Sequence, residues 1–264
     1  MNLNLDGRTA LVTGSTAGIG LAIAQALAAE SAHVIVNGRT QERVDAARAQ
    51  IRKKIPQAKI DGIAADLGSS AGCDSVLRNF PDIDILVNNL GVFQPKPFEQ
   101  IPDAEWNRFF EVNVMSGVRL SRGYLPGMKK HNWGRIVFIS SESGVQIPAE
   151  MVHYGMTKSA QIAIARGIAE TCAGTAITVN SVLAGPTASE GVTEFVASLA
   201  KEQGISPAEF EKEFFRNVRP SSLLKRFTTP HEVAAVVAFV CSPTASAING
   251  TALRADGGVV KSAF

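Results

Sequence analysis

The run Arg8-Thr-Ala-Leu-Val-Thr13, followed at once by Gly14-Ser-Thr-Ala-Gly18-Ile-Gly20 and an Ala/Leu-rich stretch, narrows the fold more than any other part of the chain. The first segment reads as a short buried strand and the last as a helix, joined by a glycine loop. Such a unit presents backbone N–H groups and the positive end of a helix dipole to a pyrophosphate. The spacing Gly-x-x-x-Gly-x-Gly differs from the commonest dinucleotide fingerprint, and a glycine run alone is also what an ordinary tight turn looks like. Its place after a strand and before a helix is what points to a nucleotide. Gly14, Ser15, Thr16, Gly18, Ile19 and Gly20 are therefore candidate cofactor contacts.

Strand patterns recur near 8–13, 33–37, 59–65, 83–88, 134–140, 175–182 and 251–255, with helical patterns near 18–30, 40–54, 71–79, 103–129, 152–172 and 230–241. This alternation predicts an α/β fold with a doubly wound parallel β-sheet flanked by helices. No linker or charge run interrupts it, so residues 1–264 are expected to form one domain. Between about 187 and 220 the pattern changes to two amphipathic helices, 189–200 and 207–215, expected as a small helical substrate lid. Phe195, Leu199, Phe214 and Phe215 would then line an apolar pocket; the same stripe would equally serve to pack the segment on the body of the domain. Lys212, Arg216 and Arg219 are candidate contacts for an acidic substrate, or simply solvated charges.

The second strand ends in Asn37-Gly38-Arg39-Thr40, about twenty residues beyond the glycine loop. A carboxylate there would hold the 2′-hydroxyl of NAD. Gly38 and Arg39 instead remove a repulsive charge and offer a guanidinium to a 2′-phosphate, which points to NADP(H). Another apolar strand ends in Asn88-Asn89-Leu90-Gly91, where open α/β sheets place ligand contacts, adding Asn89 and Gly91 to the candidates.

Tyr154 and Lys158 are four residues apart in a helical pattern, and Ser140-Ser141 closes a Val/Ile-rich strand thirteen residues before the tyrosine. Positions i and i+4 share a helix face, so the ammonium of Lys158 is expected beside the Tyr154 ring, favouring its phenolate and letting it work near neutral pH. The chain's other tyrosine, Tyr124, has Met128 at the same offset. Asn113 lies inside a long helical pattern, where asparagine is intrinsically a poor choice.

Together, Thr13-Gly14-Ser-Thr-Ala-Gly18-Ile-Gly20, Asp66, Asn88-Asn89-Leu90-Gly91, Asn113, Ser141, Tyr154-x-x-x-Lys158 and Asn180-Ser-Val-Leu-Ala-Gly185-Pro186-Thr187 resemble the short-chain dehydrogenase/reductase family over essentially the whole chain. The resemblance implies a single-domain Rossmann fold and an oxidoreductase that moves a hydride between NADP(H) and a carbonyl or alcohol. Tyr154 would be the acid/base, Ser141 would hydrogen-bond the substrate oxygen, and Lys158 would hold the nicotinamide ribose while lowering the tyrosine pKa. Asn113 would position a water linking Lys158 to solvent. Asp66 and Leu67 would contact the adenine, Asn88 would stabilise the central sheet, and Thr187, after Gly185, would anchor the carboxamide. Departures are Leu90, where the family usually has alanine, and Ala184, where a proline commonly stands. Leu90 would add bulk near the cofactor, and Ala184 would loosen the loop beside the substrate.

The nearest specific version of this activity is a 3-oxoacyl thioester reductase, with a sugar, polyol or steroid dehydrogenase as its rival, and the direction of reaction stays open. The pocket-side candidates Phe93, Gln94, Val145, Gln146, Met151 and Val152 point to a mostly apolar substrate with a few polar anchors. A protein that binds NADP(H) without turnover has no need for all of Asn113, Ser141, Tyr154 and Lys158. The family also implies a homo-oligomer, tetramer or dimer.

With Lys plus Arg at 26 against Asp plus Glu at 24, charge supports neither a nucleic-acid nor a membrane partner. The N-terminus lacks a basic region followed by an apolar one, and the expectation is a cytoplasmic protein. Cys73, Cys172 and Cys241 are widely spaced, and the four histidines lack paired ligand spacing, so no metal is expected. Of these, His153 directly precedes Tyr154.

Overall fold

The computed structural model describes residues 2–202 and 204–263, the side chains of Glu194 and Phe195 excepted. The strands are β1 (Thr9–Val12), β2 (His33–Gly38), β3 (Ile60–Ala64), β4 (Ile85–Asn88), β5 (Gly134–Ser141), β6 (Ile177–Ala184) and β7 (Ala252–Ala255). They form one sheet in the order β3-β2-β1-β4-β5-β6-β7, and every pairing is parallel. A parallel pair cannot be joined by a hairpin, so each strand is followed by a crossover, and the alternating pattern becomes a doubly wound, Rossmann-like single domain. The strand order reverses between β1 and β4, the point at which such sheets open a crevice beyond their carboxyl ends.

The helices are α1 (Gly18–Ala29), α2 (Gln41–Lys54), α3 (Ser70–Asn79), α4 (Asp103–Phe110), α5 (Ser116–His131), α6 (Val152–Glu170), α7 (Glu190–Glu202), α8 (Pro207–Glu213) and α9 (Pro230–Val240). Because successive strand side chains point to opposite faces, the continuous apolar strands feed two cores. Ala10, Val12, Val34, Val36, Ile85 and Val87 join α1, α2 and α9 on one face. Leu11, Ile35, Leu86, Ile136 and Phe138 join α3, α5 and α6 on the other. Capping fits the sequence: Thr229 and Glu232 form a capping box with Pro230 in the first turn of α9, as Ser206, Glu209 and Pro207 do for α8.

One expected element is divided. The helical pattern at 103–129 is not continuous: α4 and α5 are separated by a π-helical turn, Glu111–Met115. At its centre is Asn113, whose Oδ1 accepts from the Val92 amide at 2.7 Å and whose Nδ2 donates to the Val92 carbonyl at 3.0 Å and to Thr157 Oγ1 at 3.0 Å. This clamp ties α6 to the loop after β4 and sits at the turn where the helix takes in its extra residue. The segment after β6 leaves the sheet as expected and forms α7, α8 and a second π turn, Phe214–Val218. Among the described residues, no helix is long and apolar enough to cross a membrane.

Candidate active site

A cavity of about 640 Å³ opens beyond the carboxyl ends of β4, β5 and β6. Ile19 of α1, Asn89 and Gly91 after β4, Ser141 at the end of β5, Tyr154 and Lys158 of α6, and Gly185 and Thr187 after β6 all line it. The cavity is thus a product of topology: residues far apart in sequence meet because every strand ends on the same side of the sheet.

The glycine loop fits a phosphate-bearing cofactor. Gly14 has φ +59°, in the left-handed region that favours glycine, and a side chain on Gly20 would run into the Gly14 carbonyl and the Asn89 amide. Ala17 gives α1 no side-chain cap, so the amides of the first turn are free for a ligand. Asn89 braces the loop, its Nδ2 donating to the carbonyls of Thr13 (2.9 Å) and Gly14 (3.1 Å).

Other expected cofactor contacts face elsewhere. Ser15 is fully buried: its hydroxyl donates to the Val12 carbonyl at 2.7 Å, and its amide donates to the Asn37 carbonyl at 2.9 Å. Asn37 is equally committed, accepting from Gly14 N at 3.1 Å and donating to the carbonyls of Ile63 and Ala65. Both residues build the loop and have no group left for a ligand. Leu67 packs into the second core, 1% exposed, so its side chain is not available to an adenine, while Asp66 is exposed beside it. Arg39 is exposed at the end of β2, and Thr40 caps α2, accepting from Arg43 N at 3.4 Å. Thr16 is half-buried beside Gly38. Asn88 reaches α5 through Ser121 Oγ at 3.2 Å. Leu90 packs on the second core and beside Gly14 of the glycine loop, whereas Ala184 lines the cavity.

Tyr154, Lys158 and Ser141 share the cavity wall, and Asn113 stands behind them. The Lys158 ammonium lies 5.5 Å from the centre of the Tyr154 ring. It donates to the Ile139 carbonyl at 2.8 Å and to Gln161 Oε1 at 3.1 Å. The expected lowering of the tyrosine pKa is not what the geometry produces. Burial pushes the Tyr154 phenol up to about 12; its hydrogen bond with Ser141 opposes this, Glu142 adds to it and Arg219 subtracts from it. Burial likewise brings Lys158 down to about 8. The lysine is turned toward neutral carbonyl acceptors, and desolvation dominates both groups. Asn113 is held firmly in place behind them. Its side chain is spent on Val92 and Thr157, and its main-chain carbonyl accepts from Gln161 Nε2 at 2.6 Å.

The segment after β6 closes one side of the cavity with Leu199 and Phe214, as expected, together with Val192, Val196, Phe210 and Val218, which sequence reasoning missed; Phe227 joins them. Phe215 instead packs behind the wall, 2% exposed and edge-on to Phe214 and Phe227. The side chain of Phe195 lies outside the described residues. Phe93 and Met151 line the cavity, whereas Gln94, Val145, Gln146 and Val152 do not. Arg216 pairs with Glu213 on the surface, and Lys212 is exposed. Arg219 is buried in the cavity wall, its Nε 2.9 Å from Glu142 and its Nη1 3.1 Å from Glu150. Nothing in the spacing marked Glu142, Glu150 or Gln161; the one available signal was that Glu142 directly follows Ser141. His153 is buried 3.5 Å from Glu105 and packs on Phe109 outside the cavity, and burial lowers its pKa.

Comparison with known proteins finds the short chain dehydrogenase family over residues 8–200. An uncharacterized oxidoreductase of Bacillus subtilis, YvaG, is 48% identical over 264 residues, covering all of both chains. The D-beta-hydroxybutyrate dehydrogenase of Cupriavidus necator is 34% identical over 260 residues, 97% of this chain and 99% of that one. Among solved structures, the L-sorbose reductase of Gluconobacter frateurii, complexed with NADPH and L-sorbose, superposes with a TM-score of 0.93 at 30% identity, covering 99% of this chain and 100% of that one.

Proposed function

The chain belongs to the short-chain dehydrogenase/reductase family of oxidoreductases, and from that premise we propose that it is an NADP(H)-dependent enzyme interconverting a ketone and a secondary alcohol. The observation that carries this reading is the meeting of Ser141, Tyr154 and Lys158 on the wall of one cavity with Gly91, Gly185 and Thr187.

The glycine loop and the first turn of α1 would hold the pyrophosphate, Arg39 the 2′-phosphate, and Lys158 the ribose next to the ring. When bound, NADPH supplies the hydride. Tyr154 keeps its proton across the neutral range, because burial raises its pKa to about 12, so it is a proton donor to the oxygen of a reducing carbonyl. Ser141 is the second donor to that oxygen, steadying charge as it develops there. The segment 187–220 would act as the lid, excluding water with Leu199, Phe210 and Phe214.

The buried Glu142–Arg219 pair with Glu150 gives the apolar pocket one polar side. Together with the likeness to the L-sorbose reductase, this favours a hydroxylated ketone over a 3-oxoacyl thioester as substrate. The chain is also proposed to act as a homo-oligomer, with Leu223, 82% exposed, as part of the apolar surface that assembly would cover.

The test is NADPH consumption by the purified protein across ketoses, small 3-oxo acids and 3-oxoacyl thioesters, with NADH and Tyr154→Phe alongside. Turnover with NADPH that falls by about 10²–10⁴-fold in the variant is expected. NADPH binding without turnover on any substrate would leave a cofactor-binding protein that is not an enzyme.

A further inference from the structure

We propose that Gln161 is a positioning residue of this active site, a fixed amide link that holds Lys158 to the π turn of Asn113 in place of a mobile water. The inference rests on the reading of Lys158 as part of the catalytic group.

Gln161 lies on α6, one turn after Lys158, and is 1% exposed. Both ends of its amide are committed: Nε2 donates to the Asn113 carbonyl at 2.6 Å, and Oε1 accepts from Lys158 Nζ at 3.1 Å. The orientation is forced. A carbonyl can only accept and an ammonium can only donate, so the amide nitrogen must face Asn113 and the oxygen must face Lys158. The Asn113 carbonyl is in turn held by the side-chain clamp on Val92 and Thr157. The lysine is thereby tied to β5 through Ile139 and to the π turn through Gln161, which leaves one N–H for the cavity.

Two consequences separate this arrangement from a water at the same place. An amide does not change protonation in the working pH range, so Gln161 itself relays no proton between the Asn113 carbonyl and Lys158. The link also sets how strongly the ammonium is stabilised. The groups packed on Lys158 are neutral at pH 7: the titratable Tyr154 on its own helix, Ile139 of β5, and Gln161. The charged groups of the neighbourhood, Glu142 after β5 and Arg219 from the segment 187–220, bear on Tyr154.

The test compares Gln161→Met, which keeps the volume without the acceptor, with Gln161→Ala, which opens space that Lys158 and the Asn113 carbonyl can fill with water. A residue that only packs predicts Met near wild type and Ala worse. A positioning acceptor predicts the reverse: kcat falls about 10–100-fold in Gln161→Met, the scale of a hydrogen bond to a charged group, and less in Gln161→Ala. The alkaline limb of the kcat profile should also move to lower pH in Gln161→Met, because the ammonium has lost a partner.

Should Gln161→Met fail to fold, Gln161→Glu replaces it; its carboxylate must move the limb to higher pH. The melting temperature of the cofactor-free protein between pH 7 and 10 reads the same lysine without turnover. The rise that accompanies Lys158 deprotonation should begin earlier in Gln161→Met and later in Gln161→Glu. Unmoved pH dependence in both readouts, or Ala below Met, overturns the proposal. A wild type that turns over nothing while its melting profile shifts as stated overturns the enzymatic reading alone.

Discussion

Arg39 stands at the end of β2 without an ion-pair partner among the described residues, and Gly38 before it leaves no side chain in the way. A guanidinium so placed has most of its hydrogen-bonding capacity to give to a phosphate. Replacing it with alanine should lower kcat/KM for NADPH about 10–100-fold, the loss of one or two charge-assisted bonds, and change kcat/KM for NADH by less than about twofold, within the error of such a bond count. Steady-state kinetics with both cofactors check this; an equal loss for both would mean that Arg39 supports the loop and does not read the phosphate. The places of these candidates were legible because each is tied to a position in a pattern: Arg39 at a strand end, Tyr154 and Lys158 one turn apart. Gln161 and Glu142 were not, because an amide or carboxylate acquires its role only when folding sets a partner from a distant segment beside it. Asn37 and Ser15 show the converse, since their position matched a cofactor contact but their hydrogen bonds were already taken by the loop itself.

At the scale of elements, the segment α7–α8 with its π turn is held to the body of the domain through Arg219. Its partner Glu142 is more buried than Arg219 itself and takes a second bond from Ser143 Oγ at 3.0 Å, so little of its carboxylate is left for water. Removing one partner of such a pair strands the other charge, and the cost is that of the stranded charge more than of the lost attraction. Arg219→Ala should therefore destabilise the fold by about 3–5 kcal/mol and raise KM through a loosened cavity wall. Adding Glu142→Gln should return more than half of the lost stability. Glu150 is half-exposed, and Glu150→Gln alone should cost no more than about 1 kcal/mol. Denaturant melts of the four proteins decide it, and a loss under about 1 kcal/mol for Arg219→Ala would count against a latch. The sequence did show that this segment leaves the alternation and that its apolar stripe faces inward, and it gave Arg219 as one of three candidate charges. It could not choose among them, because the choice depends on which one the π turn swings toward the cavity. The π turn at Asn113 was hidden for a related reason: helical periodicity continues on either side of a single inserted residue.

For the whole molecule, the doubly wound sheet was legible because its strands are apolar on both faces, and those same two cores set how the protein responds to alkali. Burial pushes Cys73 from an ordinary value of 9 up to about 11 and Cys241 up to about 12. It also raises Tyr154 from 10 to about 12, and Tyr124 rises as well. In each case the folded chain keeps a proton that the unfolded chain has released, so above the ordinary values the unfolded state binds fewer protons and stability falls with pH. Lys158 works in the opposite sense. Its pKa drops from 10.5 to about 8, so between those values the unfolded state binds more protons and stability rises. Lysine acts first and alone as pH climbs past 8; the thiols join near 9 and the phenols near 10, and four groups then outweigh one. The urea midpoint should accordingly be level or slightly rising up to about pH 9 and should fall steadily toward pH 11. Replacing both Cys73 and Cys241 with alanine should flatten the first part of that fall, between about 9 and 10, while leaving the later part to the tyrosines. A midpoint still climbing at pH 10.5 would mean that the thiols and phenols ionise freely inside the fold, which the close packing of Cys241 beneath the sheet does not allow.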